Sequence, residues 1–278
     1  MPELTDEELQ QKAYEQIWNF STSIFAGGLD DRVEFRGSGT FVAVEEKRCL
    51  LTAGHVWDQL SRMPHPDVAF GIRNRRAAVT VRREALRCLH CSPRPKPDWD
   101  EWGPDLALIE INGVDWRRLE DAGKTFYDLI PRRTEALSGP VNPGSGMWLI
   151  VGSLLETVEQ HGRQPDGGVL ASLDAVALGS TVHSMPTHGG LDYVDLSLYD
   201  KRTANFPDTY WGLSGGGLWR LGRFEGKMLV WDGKAPFLEG VVFWHASAPP
   251  AKAQDEVIRC HGRVSLYDHL LTASAAGR

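Results

Sequence analysis

The pattern of hydrophobic positions changes once along the chain, near residue 20. Before that point, apolar residues recur at the three- and four-residue spacing of one helix face: Leu9, Ala13, Ile17 and Trp18. Thr5 precedes this run and Glu8 follows three residues later, which is the pattern of a capping box at a helix start. The pattern therefore predicts an N-terminal helix over residues 6–20.

After residue 20, the apolar positions fall into short runs rich in β-branched and aromatic residues, separated by glycine, proline and charged turns. In the first half of the chain these runs are 23–25, 33–35, 40–44, 49–52, 68–72, 77–81 and 106–111. In the second half they are 147–151, 169–173, 193–198, 217–221, 227–231, 238–244 and 257–260. Such spacing predicts antiparallel strands of a barrel or sandwich. A last amphipathic stretch, residues 264–271, predicts a short C-terminal helix.

The stretch 121–142 separates the two halves, because it carries no clear strand pattern and contains Pro131, Gly139 and Pro140. We interpret it as containing a linker between two β-rich units. The predicted organisation is an N-terminal helical extension (1–20), a first β unit (21–125), a linker (126–142) and a second β unit that ends in the C-terminal helix (143–278).

Composition and charge narrow the classes of function. The chain has 278 residues, of which 42% are hydrophobic, and this is enough to build a substantial core. Its net charge of −7 argues against general attraction to nucleic acid or to anionic membranes. No apolar run approaches membrane-spanning length, and the acidic first residues differ from the basic start of a signal peptide. We therefore expect a cytoplasmic protein that binds neither nucleic acid nor membrane.

The four cysteines are expected to be free thiols, because an intracellular chain of this length does not need disulfides. Cys88 and Cys91 have the spacing of metal ligands, and Cys260 with His261 could complete a set of four. A second well-spaced pair is missing, so we expect no metal site. A structural zinc ion at these residues is the alternative.

Three segments carry the residue types that activate a serine nucleophile. His55 follows an apolar run in a turn of small residues, Asp105 begins another apolar run, and Ser214 stands among glycines. A serine hydroxyl is a poor nucleophile until a base takes its proton, which a neutral imidazole can do near neutral pH. A carboxylate on the other ring nitrogen fixes the tautomer and stabilises the imidazolium. Each residue alone is unremarkable, but together they predict a catalytic triad.

The segments around these residues resemble the trypsin/chymotrypsin-like serine peptidases, in an intracellular, prokaryotic branch of the family. The matching segments are 50–56 (LLTAGHV), 105–109 (DLALI), 212–216 (GLSGG) and 240–244 (GVVFW). The resemblance covers about residues 21–271 and implies an all-β fold of two antiparallel six-stranded barrels. His55 and Asp105 would come from the first barrel and Ser214 from the second, in the cleft between them. The reaction implied is peptide-bond hydrolysis through an acyl-enzyme, which needs no cofactor.

The resemblance also implies residues that contact a protein or peptide substrate. Backbone N–H groups of Gly212 and Ser214 would form the oxyanion hole. Asp208 lies six residues before Ser214 (214 − 208 = 6), where trypsin itself has an aspartate that selects Lys or Arg. The end of a strand would wall the specificity pocket. The substrate-binding residues implied in this way are Asp208, Phe243, Trp244 and His245.

Several departures from the family bear on activation. Leu213 stands where secreted trypsins have an aspartate that pairs with a new N-terminus after zymogen cleavage, and no Ile-Val-Gly-Gly-like start is present. No cysteine follows His55 to form the family's disulfide, and Gly217 stands where proline is usual. We therefore expect restricted activity that an activating protein partner triggers, rather than activation by N-terminal insertion.

Three other interpretations stay open. An α/β-hydrolase also presents serine in a Gly-x-Ser-x-Gly turn, but it requires a helix after the serine. A metal-dependent hydrolase could use Cys88, Cys91 and nearby histidines. A catalytically dormant protease-like fold could act as a binding or scaffolding module, although the complete set of triad residues argues against it. The sequence gives neither the substrate nor its cleavage site.

Overall fold

β-strands make up the largest share of the residues that the structure describes, and short helices lie around them. The structure, a computed structural model, describes residues 6–27, 33–64, 66–72, 78–92, 102–163, 169–198, 209–225, 228–230, 236–246 and 257–276. The helices are α1 (Asp6–Phe20), α2 (Gly54–Arg62), α3 (Gly113–Asp121), α4 (Arg133–Leu137) and α5 (Leu271–Ala276). A 3-10 turn spans Arg83–Ala85, and a π-helical segment spans Ser265–Leu270 directly before α5.

The strands are mostly short and follow one another closely along the chain. They are β1 (Ser21–Gly27), β2 (Val33–Val44), β3 (Lys47–Thr52), β4 (Asp67–Gly71), β5 (Ala78–Arg82), β6 (Leu86–Cys91), β7 (Ala107–Ile111), β8 (Tyr127–Asp128), β9 (Met147–Arg163), β10 (Val169–Ser184), β11 (Thr187–His188), β12 (Leu191–Leu198), β13 (Gly217–Leu221), β14 (Arg223–Glu225), β15 (Met228–Val230), β16 (Phe237–Ala246) and β17 (Val257–His261).

The first sheet is curled but not closed. Its strands are hydrogen-bonded in the order β5-β4-β1-β2-β3-β7-β6, all antiparallel, and β8 adds a parallel pairing to β2. Within the described ranges, β5 and β6 are the two edges of this sheet. The 3-10 turn Arg83–Ala85 joins these two strands and lets them diverge instead of forming a hairpin.

The second sheet closes on itself. Its order is β10-β9-β13-β16-β17-β12, and β12 pairs back with β10, so six antiparallel strands form a closed barrel. Closure pairs each of these six strands on both sides along part of its length. The predicted all-β class is therefore confirmed as a mostly β fold, and among the described strands only those of the second sheet form a closed six-stranded barrel.

The element predictions succeed where the hydrophobic pattern is strong. Helix α1 is confirmed over its whole predicted length, although Thr5 of the proposed capping box lies outside the described residues. The C-terminal helix is confirmed but differs in form, since a π-helical segment precedes α5. β9 and β10 continue well beyond their predicted ends, and β6 was not predicted. The proposed linker, residues 126–142, contains β8 and α4.

Helix α1 packs at the junction of the two sheets. Ala13 and Ile17 are fully buried in one core cluster that combines residues of the curled sheet with residues of the closed barrel. Phe20, at the end of α1, stacks on Trp219 of the barrel with ring centroids 5.6 Å apart. The buried ammonium of Lys124 donates hydrogen bonds to the carbonyl oxygens of Trp18 and Ser21, at 3.2 and 2.5 Å. This lysine therefore binds the C-terminal end of α1 to the body of the protein.

Candidate active site

The turn that carries His55 lies where β3 ends and α2 begins. Ala53 has extended backbone, and Gly54 and His55 open the helix. Space beside Gly54 is small: a Cβ there would lie 3.0 Å from Oδ1 of Asp105 and 3.2 Å from the carbonyl oxygen of Ser92. The small residues predicted for this turn therefore let the Asp105 carboxylate approach the backbone closely.

Asp105 contacts His55 at two points. Its Oδ2 lies 2.6 Å from Nδ1 of the imidazole, and its Oδ1 accepts the backbone N–H of His55 at 2.7 Å. Both side chains are largely buried, with 12% of the His55 side chain and 7% of the Asp105 side chain exposed. A carboxylate only accepts hydrogen bonds, so Nδ1 carries the proton in this contact. In the neutral ring, Nε2 is then the nitrogen that carries no proton.

The glycine turn that carries Ser214 is held between the two sheets. Ser38, in β2, donates its backbone N–H to the carbonyl of Ser214 at 2.9 Å and its hydroxyl to the carbonyl of Gly212 at 2.7 Å. On the other side, the N–H of Gly215 donates to the carbonyl of Val242 in β16 at 2.7 Å. Gly212 and Gly215 have φ of +101° and +90°, a region that glycine adopts without steric cost.

The N–H groups predicted to form the oxyanion hole belong to this turn. Among the residues that the structure describes, neither the amide of Gly212 nor that of Ser214 donates a hydrogen bond. The neighbouring amides of Leu213 and Gly216 do donate, to the carbonyls of Tyr210 and Leu213. Within the described residues, the amides of Gly212 and Ser214 are therefore the two of this turn that lack an acceptor.

His55 and Ser214 line the same cavity, which has a volume of about 440 Å³. The other lining residues are Phe35, Arg36, Gln59, Leu155, Tyr210, Trp211, Gly212, Phe243 and Trp244. Most of the lining residues are apolar or aromatic, and Arg36 and His55 are the basic ones. Leu155 and Trp211 are 50% and 56% exposed, which is high for large apolar side chains of a folded protein. The cavity therefore offers an accessible apolar surface beside the candidate nucleophile.

The predicted specificity residues differ in how much of each the structure describes. Phe243 and Trp244 line the cavity. His245 lies in β16 with its backbone paired to Ile258, and its side chain is outside the description. Asp208 lies outside the described residues, so its place relative to the cavity is not part of the structure.

One histidine beside the site was not predicted to have a role there. His261, at the end of β17, is 1% exposed, and its Nε2 accepts the backbone N–H of Asp105 at 3.1 Å. Its ring stacks on Phe243 with centroids 4.3 Å apart. Burial lowers the pKa of His261 to about 4, against the opposing effect of the Asp105 and Asp192 carboxylates. The ring is therefore neutral near pH 7 and acts as an acceptor for the Asp105 amide.

Sequence signals for the supporting residues were weak. Ser38 lies between two glycines, which indicated a turn, but β2 runs straight through this segment. Its contacts with Gly212 and Ser214 join positions far apart in the chain, so no local pattern could reveal them. From the sequence, His261 was expected only as a possible ligand of a metal ion.

The structure argues against the α/β-hydrolase alternative. Ser214 is followed by β13, which is antiparallel to its neighbours, whereas an α/β-hydrolase needs a helix there. Leu213 is 1% exposed and packs in the barrel core, so an apolar contact holds the residue before the candidate nucleophile. Across the described ranges, no group of three or more His, Cys, Asp or Glu side chains is arranged to hold a metal ion.

All four cysteines are free: Cys49 and Cys260 are buried, Cys88 is exposed and Cys91 is half-buried. In the part of the chain that the structure describes, no helix has the length and apolar character needed to cross a membrane.

Comparisons with known proteins give a structural likeness only. No protein-family model matches the chain, and no curated protein matches it. Among solved structures, the chain is similar to one from work on how aromatic interactions drive the coupled folding and binding of the intrinsically disordered Sesbania mosaic virus VPg protein. The two are 14% identical, the match covers 90% of this chain and 95% of the other, and the TM-score is 0.45. A TM-score this low carries no argument about fold or function.

Proposed function

We propose that this protein is a serine endopeptidase with a trypsin-like arrangement of two β-barrels, the first represented by the curled sheet. The observation that carries the proposal is the two-point contact of Asp105 with His55, beside a cavity that Ser214 also lines. The three residues come from distant parts of the sequence and have the side chains that acyl transfer requires.

In the proposed reaction, Oγ of Ser214 attacks the carbonyl carbon of the scissile peptide bond while Nε2 of His55 takes the hydroxyl proton. Asp105 orients the imidazole and stabilises its positive charge. The carbonyl oxygen becomes an oxyanion and accepts hydrogen bonds from the amides of Gly212 and Ser214. The C–N bond then breaks as His55 protonates the leaving amine. Water, deprotonated by His55, hydrolyses the remaining ester and regenerates Ser214.

The cavity supports a peptide substrate with both apolar and backbone contacts. Phe243 and Trp244 lie in β16, where a substrate backbone would pair beside the nucleophile. The exposed side chains of Leu155 and Trp211 add apolar surface next to Ser214. Since the described lining contains no carboxylate, a preference for Lys or Arg would depend on Asp208.

The proposal is tested by labelling the purified protein with a fluorophosphonate, which reacts with activated serines. We expect labelling of the parent and none of Ser214→Ala or His55→Ala. Ser61→Ala, which removes an exposed serine from α2, is the matched control and should label like the parent. Labelling of Ser214→Ala at the parental rate would show that another serine reacts and would contradict the assignment.

The second candidate is a dormant protease-like fold that binds peptides. The exposed Leu155 and Trp211 favour it, because an accessible apolar cleft can bind a peptide without cleaving it. Peptide binding by a protein that no fluorophosphonate labels, alone or in lysate, would support this candidate. Labelling in lysate only would instead support an activating protein partner. The contacts of Ser38 with the glycine turn favour labelling without a partner.

A further inference from the structure

Cys88 and Cys91, which the proposed reaction does not use, lie on one face of β6. On a regular strand, three-residue spacing would put their side chains on opposite faces. The register with β7 shifts here, since Cys88 pairs with Ile109 and Cys91 with Ala107. Leu89 is therefore the extra residue of a β-bulge, and the two cysteines face the same side, as Ile109 and Ala107 do.

The bulge also brings the two thiols near each other. Same-face neighbours on a strand have Cα atoms roughly 6.7 Å apart, at the upper end of the range of about 4.4–6.8 Å that disulfides span. A hydrogen bond with the Cys91 thiol lowers the pKa of Cys88. The same contact, together with burial, raises the pKa of Cys91. The pair is thus asymmetric, with its thiolate favoured at Cys88.

Solvent exposure distinguishes the thiols of this pair from those of Cys49 and Cys260. Cys88 is exposed and Cys91 is half-buried, whereas Cys49 and Cys260 are buried. Burial raises the pKa of Cys49 to about 12 and also raises that of Cys260. Because the thiolate is the reactive form, Cys88 is the thiol that a dissolved oxidant meets first.

The pair also touches the turn that carries His55. The Cys91 sulfur lies 3.9 Å from the carbonyl oxygen of Gly54 and 3.8 Å from that of Ser92. Gly54 and Ser92 pack closely against each other, and Gly54 also packs against Asp105. A movement of the Cys91 sulfur toward Cys88 would therefore change packing directly beside the contact between His55 and Asp105.

We propose that Cys88 and Cys91 form a redox-sensitive dithiol, which low-molecular-weight disulfides oxidise and whose oxidation slows the reaction at Ser214. The second half of this statement rests on the proposed function. The Cys88 thiolate attacks one sulfur of the small disulfide, which releases one small thiolate and forms a mixed disulfide. The Cys91 sulfur, having lost its proton, then displaces the second small thiolate. One small disulfide is reduced to two thiols, and the two cysteines are oxidised to one disulfide.

Oxidation removes the S–H donor of Cys91 and draws its sulfur away from Gly54. The His55 amide follows Gly54 in the chain and donates to Oδ1 of Asp105, so it would respond to this change. We expect faster hydrogen exchange at this amide. We also expect fluorophosphonate labelling of Ser214 to slow by roughly fivefold, the effect of one weakened hydrogen bond.

The first experiment treats the full-length reduced protein with oxidised glutathione and maps its thiols by mass spectrometry. The parent should acquire a Cys88–Cys91 disulfide with Cys49 and Cys260 unchanged. Cys91→Ser should stop at a glutathione adduct on Cys88, and Cys88→Ser should acquire no adduct at Cys91. Absence of the disulfide in the parent, or an adduct preference for Cys91, would overturn the proposal.

The second experiment compares hydrogen exchange at His55 and labelling of Ser214 before and after oxidation. The double variant Cys88→Ser/Cys91→Ser is the control, and neither quantity should change in it. If the disulfide forms while both quantities stay the same in the parent, the link to the active site is wrong. If the reduced protein is never labelled, the proposed function fails. The positions of the oxidised thiols and the hydrogen exchange at His55 would still test the redox-sensitive dithiol.

Discussion

Nε2 of His261 accepts the backbone N–H of Asp105 at 3.1 Å, although the two residues belong to different sheets. Asp105 precedes β7 of the curled sheet, and His261 ends β17 of the closed barrel. The carboxylate that orients His55 therefore has its backbone held by the opposite half of the protein. Among the described residues, Nδ1 of His261 has no hydrogen-bond partner, so the acceptor on Nε2 is the polar contact that this ring makes.

Two substitutions of His261 distinguish the effect of its hydrogen bond from the effect of its ring volume. His261→Phe keeps a ring against Phe243 but leaves the buried Asp105 amide unpaired, which costs about 1–3 kcal/mol. His261→Gln offers a carbonyl oxygen as acceptor, so we expect it to recover part of the loss. Urea unfolding measures the stability, and the rate of Ser214 labelling measures the site. Equal stability and labelling for the Phe and Gln variants would rule out a role for the hydrogen bond.

Acidification should destabilise the protein through His261. In the folded state its pKa is lowered to about 4, whereas in the unfolded chain it is near 6.5. Between these values the unfolded state binds more protons, so stability falls as pH falls from 6.5 toward 4. The loss of unfolding free energy that His261 causes reaches about 3 kcal/mol near pH 4. Urea midpoints measured against pH should fall less steeply in His261→Gln, and parallel curves for the two proteins would contradict this source of acid sensitivity.

Gly215 should tolerate no side chain. Its φ is +90°, and an added Cβ would lie 2.0 Å from the carbonyl oxygen of Ser38 and 2.2 Å from Oγ1 of Thr52. Gly190 is the matched control, because its φ is +83° and nothing lies within 4 Å of the added atom. Gly190→Ala should cost only the conformational strain, about 1–2 kcal/mol. Gly215→Ala should unfold at a clearly lower urea concentration than Gly190→Ala, and its Ser214 should no longer be labelled.

If the two glycine variants were equally stable, the close packing between Gly215 and Ser38 would not constrain the glycine turn. Circular dichroism of both variants at low temperature tells a folded protein with a displaced turn from an unfolded one.

The expected preference for substrates with Lys or Arg before the cleaved bond depends on Asp208. If its carboxylate pairs with the substrate, Asp208→Asn should lower kcat/KM for cleavage after Lys or Arg by about tenfold or more, as expected for a charged hydrogen bond. Cleavage after Leu or Phe should change little. Glu46→Gln removes the same charge from an exposed turn and serves as the control. A parental profile that already favours Leu or Phe would assign selection to the apolar lining instead of Asp208.

Lys124 should control the docking of α1. Lys124→Met removes the ammonium that binds the carbonyls of Trp18 and Ser21, at a cost of about 1–3 kcal/mol for each group left buried and unpaired. We expect faster hydrogen exchange in the last turn of α1. Lys12→Met, on the exposed face of the same helix, should leave exchange unchanged. Unchanged exchange in both variants would mean that apolar packing alone holds the helix.

The sequence predicted elements whose own pattern determines them. The apolar spacing around Ala13 and Ile17 gave α1, because one helix face is buried along its length. The short apolar run at 49–52 gave β3 for a similar reason. The small residues before His55 also indicated a turn, and the structure adds that the Asp105 carboxylate approaches the backbone closely there.

Features that depend on distant contacts could not be predicted in this way. β6 contains Arg87 and His90 in place of a clean alternation, and its bulge is visible only against β7. β12 closes the barrel by pairing with β10, a relationship that no local pattern expresses. The contact of His261 with Asp105 spans 156 positions of the chain, so sequence reasoning offered no reason to connect them.

The contacts of Ser38 have a consequence for dividing the protein. If the chain were cut in the 138–146 connection between α4 and β9, one fragment would hold Ser38 and the other the whole glycine turn. The second fragment alone would lack the donors that hold the carbonyls of Gly212 and Ser214. Reassembly of the two fragments would restore these hydrogen bonds, so serine reactivity would report association. The fold therefore lends itself to a split reporter, in which labelling of Ser214 in one fragment requires Ser38, His55 and Asp105 from the other.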